Sequence, residues 1–161
     1  MTFHKIFVGL DDSELSHQVF TQALDLAVAN KAEMMLFHGV IINQFGERGM
    51  PIPVDFAMNF ELAEQAYQAQ TLRVEKQLEQ GKAQLKNYYD AAASQGIKAE
   101  FDCQMIEDAG HSICEFSQSW DADLIVLGRR GRTGLAEVML GSVSNYVLHH
   151  TKCGVLVIQA H

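Results

Sequence analysis

Four small residues near the end of the chain have a spacing that suits a phosphate group. Gly128 follows the apolar run LIVL, Gly131 comes three residues later, and Gly141 and Ser142 directly precede the helical pattern VSNYVLHH. Glycine lets backbone N–H groups approach an anion without a Cβ atom in the way, and the first turn of a helix presents unpaired N–H groups at the positive end of its dipole. The spacing G-x2-G-x9-G-S therefore favours a phosphate site, although a structural turn followed by an ordinary serine cap fits the same residues.

The same stretch lacks the side chains that phosphoryl transfer usually needs. Between Gly128 and Ser144 there is no lysine, aspartate or histidine, and the only acidic residue is Glu137. The chain also has no G-x-x-x-x-G-K-[S/T] loop, no H-R-D segment and no G-x-G-x-x-G motif. A site of this composition is expected to bind a phosphate group rather than to transfer it rapidly.

Alternating apolar runs and helical patterns position these residues. Five runs predict strands, over Lys5–Leu10, Glu33–Val40, Lys98–Ile106, Leu124–Gly128 and Gly154–Gln159. Helical spacing of apolar residues predicts helices over Ser13–Ala29, about Phe60–Ser94, His111–Ser119 and Val143–His150. Ser13 and Ser142 are expected to cap helix starts, and Asn30 and Gly96 are expected to end helices. The alternation predicts an α/β sandwich with a parallel sheet and ligand sites at the carboxyl ends of the strands.

One segment, Ile41 to Asn59, interrupts the alternation. It holds both prolines of the chain and two glycines, which predicts a long loop over residues 41–59. Loops of this length in compact domains are lids, binding segments or mobile insertions. Its apolar residues could cover a ligand or a partner subunit, and a disordered insertion fits the segment equally well; these residues are Phe45, Met50, Ile52 and Phe56.

Composition bounds the class of protein. With 161 residues, 48% of them hydrophobic, the chain is expected to form a single domain over residues 1–161. Its net charge of -8 disfavours nucleic acid and anionic membranes as partners. The three cysteines are an odd number without C-x-x-C spacing, which is typical of reduced thiols. The start MTFHKIFVGLDDS has no signal-peptide pattern, so we expect a soluble, cytoplasmic protein.

Histidines and the remaining acidic residues have ordinary structural explanations. His38 is expected to be a hydrogen-bonded residue at a strand end rather than a base. His149 and His150 suit the C-terminus of a helix better than a metal, because adjacent helical residues point in different directions. Asp12 and Glu14 suit the start of the first helix.

Longer stretches of the chain resemble the universal stress protein family. The segment GRRGRTGLAEVMLGSVSN resembles the nucleotide-binding signature of that family. IFVGLDDSELS is similar to its first strand and aspartate-x-serine turn, MMLFHGV to its second strand ending in histidine, and CGVLVIQ to its last strand. The resemblance covers most of the chain, with Ile41 to about Gln80 the least informative part. It implies a three-layer α/β sandwich with a five-stranded parallel sheet in the order 3-2-1-4-5, and a homodimer joined through the C-terminal strand.

The resemblance also implies a site for ATP, or for ADP or AMP, with Mg²⁺ or Mn²⁺ carried by the nucleotide. Asp11, directly after Leu10, contacts the nucleoside portion. The phosphates and ribose are held by Gly128, Gly131, Gly141, Ser142, Val143 and Ser144. Gly39 stands where many members carry a valine against adenine, so Val40 or the 41–59 loop is expected to compensate. Cationic side chains beside a triphosphate are expected to assist binding; these are Arg129, Arg130 and Arg132.

By this resemblance the protein is an ATP-binding stress-response or regulatory module without a dedicated catalytic activity. Three alternatives stay open. The first is a slow metal-assisted ATPase or phosphotransfer enzyme, in which Asp11 or Asp12 orients water or the metal. An adenylyl-transferring or pyrophosphatase enzyme is less favoured, because VGLDDS offers no glycine-rich serine loop after the first strand. The last is a chaperone-like structural role.

Overall fold

Strands and helices alternate through the chain as predicted. The computed structural model describes residues 2–42, 59–129 and 141–159. Within these ranges the elements are β1 (Lys5–Leu10), α1 (Leu15–Asn30), β2 (Glu33–Ile41), α2 (Phe60–Ser94), β3 (Ala99–Ile106), α3 (Ala109–Ser119), β4 (Leu124–Arg129), α4 (Ser142–His150) and β5 (Gly154–Gln159). Most of the predicted 41–59 loop, residues 43–58, lies outside the described part of the chain.

The five strands form one parallel sheet in the order β3-β2-β1-β4-β5, which confirms the order that the family resemblance implied. In the register at the centre of the sheet, Val8 pairs with Leu36 on one side and with Val126 on the other. The chain adds β2 and β3 on one side of β1 and then crosses to add β4 and β5 on the other. The carboxyl ends of β1 and β4 therefore lie next to each other where the direction of winding changes, which is the usual position of ligand sites in this class of fold.

Helices cover both faces of the sheet, and each face has its own apolar core. On one face α1 and α2 pack against the side chains of Ile6, Val8, Met34, Leu36 and Val126. On the other face α3 and α4 pack against Phe7, Phe37, Ile125 and Leu127. Because side chains alternate between the faces of a strand, central strands covered on both faces must be apolar at almost every position. This explains the near-continuous apolar runs of β1 and β4.

The start of α1 differs from the prediction. The helix begins at Leu15, and the cap residue Glu14 makes no side-chain capping hydrogen bond, so the prediction that Ser13 caps the helix is wrong. The Ser13 hydroxyl instead donates to the carboxylate of Asp11. That carboxylate holds the serine side chain in the turn after β1, two residues before the helix. The predicted end at Asn30 is confirmed, and Lys31 follows it in the left-handed region at φ 57°.

Helix α2 is much longer than the strands on which it packs. Its 35 residues span about 52 Å at the usual rise of a helix, whereas nine residues of β2 span about 30 Å. All its buried residues lie in the second part of the helix, namely Val74, Gly81, Leu85 and Ala92. The helix leads back to the amino end of β3, so its first turns project past the carboxyl edge of the sheet. Gly96, at φ 74°, ends this helix region as predicted.

We predict that α2 is held on the sheet by its residues from Val74 onward. Leu85→Ala removes a side chain that is 1% exposed, and is expected to lower the free energy of unfolding by about 2–5 kcal/mol because a cavity remains. Leu72→Ala, on the same helix at 66% exposure, is the matched control and is expected to change it by about 0.5 kcal/mol or less. Urea unfolding measures both, and equal losses would contradict the prediction.

Candidate functional site

The turn after β1 is organised by the carboxylate of Asp11. Leu10, the last residue of β1, is buried. Oδ1 of Asp11 accepts a hydrogen bond from the Ser13 N–H at 2.9 Å, and the Ser16 hydroxyl lies 2.9 Å from the same oxygen. The Asp11 N–H in turn donates to the Ser16 hydroxyl at 2.9 Å. These bonds orient the first candidate ligand-binding side chain against the first turn of α1.

At the end of β2, His38 is buried and its Nδ1 lies 2.9 Å from the carbonyl oxygen of Leu10. The prediction that His38 is a hydrogen-bonded strand-end residue is confirmed. Positions 39 and 40 of β2 face opposite sides of the sheet, and the Val40 side chain is buried in the core beneath α1 and α2.

Ile106, at the end of β3, fills the space beside Gly39. A Cβ atom built on Gly39 would lie only 2.1 Å from Cδ1 of Ile106. The space that a side chain at position 39 of β2 would occupy is thus filled by a side chain from β3. Sequence reasoning missed Ile106, although a glycine inside an apolar strand signals that a neighbouring group approaches closely.

At the end of β4, Gly128 has a packing role of its own. A Cβ atom there would lie 3.0 Å from both Leu15 and Val19, so glycine lets α1 approach the strand. Arg129 is the last residue of β4, is partly buried, and pairs in register with Gln159 of β5. Three further candidate site residues lie outside the described part of the chain, namely Arg130, Gly131 and Arg132.

The start of α4 corrects the second predicted cap. Gly141 occupies the cap position at φ -54° and ψ 152°, so Ser142 is the first residue of the helix and not its cap. The helix therefore begins at Ser142, one residue earlier than the predicted start at Val143. The Gly141 carbonyl accepts hydrogen bonds from the buried Ser144 hydroxyl at 3.0 Å and from the Asn145 N–H at 2.9 Å.

The N–H groups of Ser142, Val143 and Ser144 precede the first hydrogen bond within α4. No side-chain capping bond is found for them in the part of the chain that the structure describes. Because α4 leads back to the amino end of β5, its start faces the carboxyl edge of the sheet. This first turn can therefore offer amide donors and the positive end of a helix dipole to an anion.

The described residues include no group of three or more histidine, cysteine, aspartate or glutamate side chains that could hold a metal ion. His149 and His150 lie in the last turn of α4. Nδ1 of His150 lies 2.7 Å from the Tyr146 carbonyl oxygen, and the two rings stack with centroids 3.8 Å apart. Both histidines therefore have the helix C-terminal location that the sequence predicted.

An open cleft of about 610 Å³ adjoins Ile106 at the carboxyl end of β3. It is lined by Met105, Ile106, Glu107, Asp108, His111, Ser112, Glu115, Phe116 and Tyr146. Two of its acidic groups already have partners. The Asp108 carboxylate caps α3 by accepting from the His111 N–H at 2.7 Å, and Glu115 lies 3.4 Å from the His111 ring nitrogen.

We predict that Gly39 and Ile106 are sterically coupled. Gly39→Val forces new carbon atoms onto Ile106 and is expected to lower the free energy of unfolding by about 1–3 kcal/mol. In an Ile106→Ala background the same change fills vacated space, so its cost is expected to disappear. A double-mutant cycle from urea unfolding measures the coupling, and additive effects of the two changes would contradict it.

No helix in the described ranges combines the length and apolar character needed to cross a bilayer. The model of the universal stress protein family matches residues 2–159. The chain is 35% identical over 159 residues to universal stress protein Sll1388 of Synechocystis, covering 99% of both chains.

Solved structures share the fold. The chain is similar to the universal stress protein UspA of Lactobacillus plantarum, with a TM-score of 0.75, 20% identity and coverage of 98% of this chain and 99% of that one. It is similar to a universal stress protein in complex with cAMP, with a TM-score of 0.63, 21% identity and 98% coverage of each. A third structure, from Archaeoglobus fulgidus in complex with dAMP, has a TM-score of 0.56, 18% identity and coverage of 98% and 99%. The chain belongs to the universal stress protein family.

Proposed function

We propose that this protein is a homodimeric stress-response or regulatory module that binds adenine nucleotides, ATP foremost, at the carboxyl ends of β1 and β4. The pairing of these strands carries the proposal. It brings Asp11 next to the strand that ends in Gly128 and Arg129, at the edge of the sheet that the start of α4 faces. A carboxylate and a set of amide donors thus share one edge of the sheet.

The two ends of a nucleotide need different partners, and this edge offers both. A carboxylate accepts hydrogen bonds from ribose hydroxyls or from the adenine amino group, which suits Asp11. Phosphate oxygens accept from backbone N–H groups, which suits the first turn of α4 at Ser142, Val143 and Ser144. By sequence, Gly131 and the three arginines of residues 129–132 complete the phosphate side of the proposed site.

Two structural neighbours support the choice of base. One was solved with cAMP and the other with dAMP, and both ligands carry an adenine nucleoside and one phosphate. ATP, ADP and AMP share that portion. At this level of sequence identity the likeness establishes the fold, so the ligand of this chain rests on the chemistry of its own residues.

A regulatory role suits the site better than rapid catalysis. Its proposed phosphate side offers main-chain amides and arginines, without a lysine or a histidine between Gly128 and Ser144. A ligand that binds the folded state stabilises it by mass action, which is sufficient for a regulatory output. Mg²⁺ or Mn²⁺ would then arrive with the nucleotide. Slow metal-assisted hydrolysis of ATP remains the alternative activity, and phosphate release with either cation separates it from binding alone.

We predict that Gly141→Ala weakens ATP binding without destabilising the fold. Among the residues that the structure describes, a Cβ atom at Gly141 meets nothing closer than the Ser144 hydroxyl at 3.6 Å, and the backbone angles suit alanine. A methyl group beside the amide donors is expected to raise the Kd for ATP by about tenfold, equivalent to one misplaced phosphate contact. Isothermal titration calorimetry measures the Kd, and thermal unfolding without nucleotide checks the fold.

Gly154→Ala is the matched control, because Gly154 begins β5 at the opposite edge of the sheet and a Cβ there makes ordinary contacts of 3.4 Å or more. It is expected to bind ATP as the wild type does. If the wild-type protein binds none of ATP, ADP and AMP in the micromolar range, the proposed function is wrong.

We predict a dimer joined through β5. Within the described part of the chain this strand pairs with β4 alone, and its four central apolar residues are only partly buried, namely Val155, Leu156, Val157 and Ile158. The free backbone edge and these side chains suit a second copy in a two-fold arrangement. Sedimentation equilibrium is expected to give twice the chain mass of 17.9 kDa, and a monomer mass at every concentration would refute the dimer.

A further inference from the structure

We propose that His38 is a positioning residue for Asp11: its imidazole contacts the residues on both sides of Asp11 and so sets the orientation of that carboxylate toward a nucleoside. The inference rests on the proposed nucleotide-binding function and goes beyond it, because His38 itself is not expected to touch the ligand. Two contacts of one buried ring carry it.

The first contact fixes the residue before Asp11. His38 is 5% exposed, and its Nδ1 lies 2.9 Å from the Leu10 carbonyl oxygen. A carbonyl can only accept, so Nδ1 carries the proton and donates it. The last carbonyl of β1 is thereby bound by a side chain of β2, beyond which the chain turns into Asp11.

The second contact reaches the residue after Asp11. Nε2 of His38 lies 3.4 Å from Oδ1 of Asp12, whose side chain is 76% exposed; because Nδ1 already carries a proton, Nε2 donates to this carboxylate only when the ring is an imidazolium. The imidazole thus extends from the residue preceding Asp11 to the residue following it. From α2, the Gln84 side-chain amide donates to the Asp11 carbonyl oxygen at 3.4 Å. Side chains from β2 and α2 therefore hold the backbone of this turn.

The ring itself is confined by close packing. A Cβ atom on Gly81 of α2 would lie 2.7 Å from Cδ2 of His38 and 2.8 Å from Sγ of Cys103, so the helix reaches the ring only because residue 81 is glycine. Burial raises the pKa of the Cys103 thiol, which is therefore neutral at pH 7. The buried imidazole therefore lies between α2 and β3 with its Nδ1 at the Leu10 carbonyl.

Loss of the donor at His38 leaves the Leu10 carbonyl without this side-chain partner and releases the turn on its amino side. The backbone at Asp11 then shifts relative to β1 and carries with it the carboxylate that Ser13 and Ser16 hold, so the contribution of this carboxylate to nucleoside binding falls. Asp11→Asn keeps an oxygen that can accept from Ser13 and Ser16, so it removes the carboxylate charge while preserving the turn. The two changes together can therefore show whether His38 acts through Asp11.

The test is a double-mutant cycle on ATP affinity, measured by calorimetry with His38→Leu, Asp11→Asn and the double variant. His38→Leu is expected to raise the Kd for ATP by about tenfold in the wild-type background, and by about twofold or less in the Asp11→Asn background. His38→Asn places an amide N–H near the position of Nδ1, and is expected to restore the affinity to within about threefold of wild type. Additive losses, or an asparagine variant as weak as the leucine variant, would overturn the inference.

Gly81→Ala keeps His38 but pushes its ring, and therefore serves if His38→Leu does not fold. It is expected to weaken ATP binding, whereas Gln80→Ala, exposed on the same turn of α2, is expected to have no effect. The positioning role is refuted if Gly81→Ala, His38→Asn and His38→Leu all bind ATP with wild-type affinity. The proposed function still stands in that case. Absence of ATP binding by the wild type refutes both.

Discussion

The parallel pairing of β1 with β4 is the contact on which the rest of the structure depends. From Ile6 to Gly9, β1 pairs with β2 on one side and with β4 on the other. The direction in which the chain adds strands reverses at β1. The two strands pack tightly at their carboxyl ends, because a Cβ atom built on Gly9 of β1 would lie only 2.5 Å from a methyl group of Leu127 of β4. After β1 the chain leads into a helix on one face, and α4 covers the other face. A crevice between helices that diverge in this way is where a doubly wound sheet can admit a ligand.

Steric complementarity at glycines joins the layers of the sandwich around this crevice. Ile106 fills the place of a side chain at Gly39, His38 and Cys103 fill that at Gly81, and α1 packs against Gly128. At Gly81 and Gly128 the missing Cβ lets a helix and the sheet approach closely, and at Gly39 it admits a side chain from the neighbouring strand of the same sheet. Gly141 differs, because within the described ranges a Cβ at this position would meet only the Ser144 hydroxyl, at 3.6 Å. Gly128 and Gly141 belong to the same sequence motif but have different roles. Gly128 allows α1 to pack on β4, whereas Gly141 leaves space at the start of α4.

The elements that the sequence predicted well are those whose pattern depends on many residues. Every predicted strand is present within one residue at either end, and the 35-residue helix begins and ends where its pattern indicated. The predicted caps at Ser13 and Ser142 are wrong, because a cap depends on one side chain and its local competitors. The Asp11 carboxylate binds the Ser13 hydroxyl, and the extended Gly141 takes the cap position before Ser142. The order of the strands came from the family resemblance, since alternation alone fits several orders.

The sequence by itself determined the class of fold, the boundaries of its strands to within one residue and the presence of a glycine-serine stretch after the fourth strand, whereas α1 and α3 begin two residues away from their predicted starts. It could do so because apolar periodicity and glycine placement are local properties of the chain. Only the tertiary structure decided that Ile106 replaces the side chain missing at Gly39, and that His38 binds the carbonyl of Leu10. Ile106 and Gly39 are far apart in the sequence, as are His38 and Leu10. These residues come into contact only when the strands pair, and the local patterns of one sequence do not indicate which distant residues will be in contact.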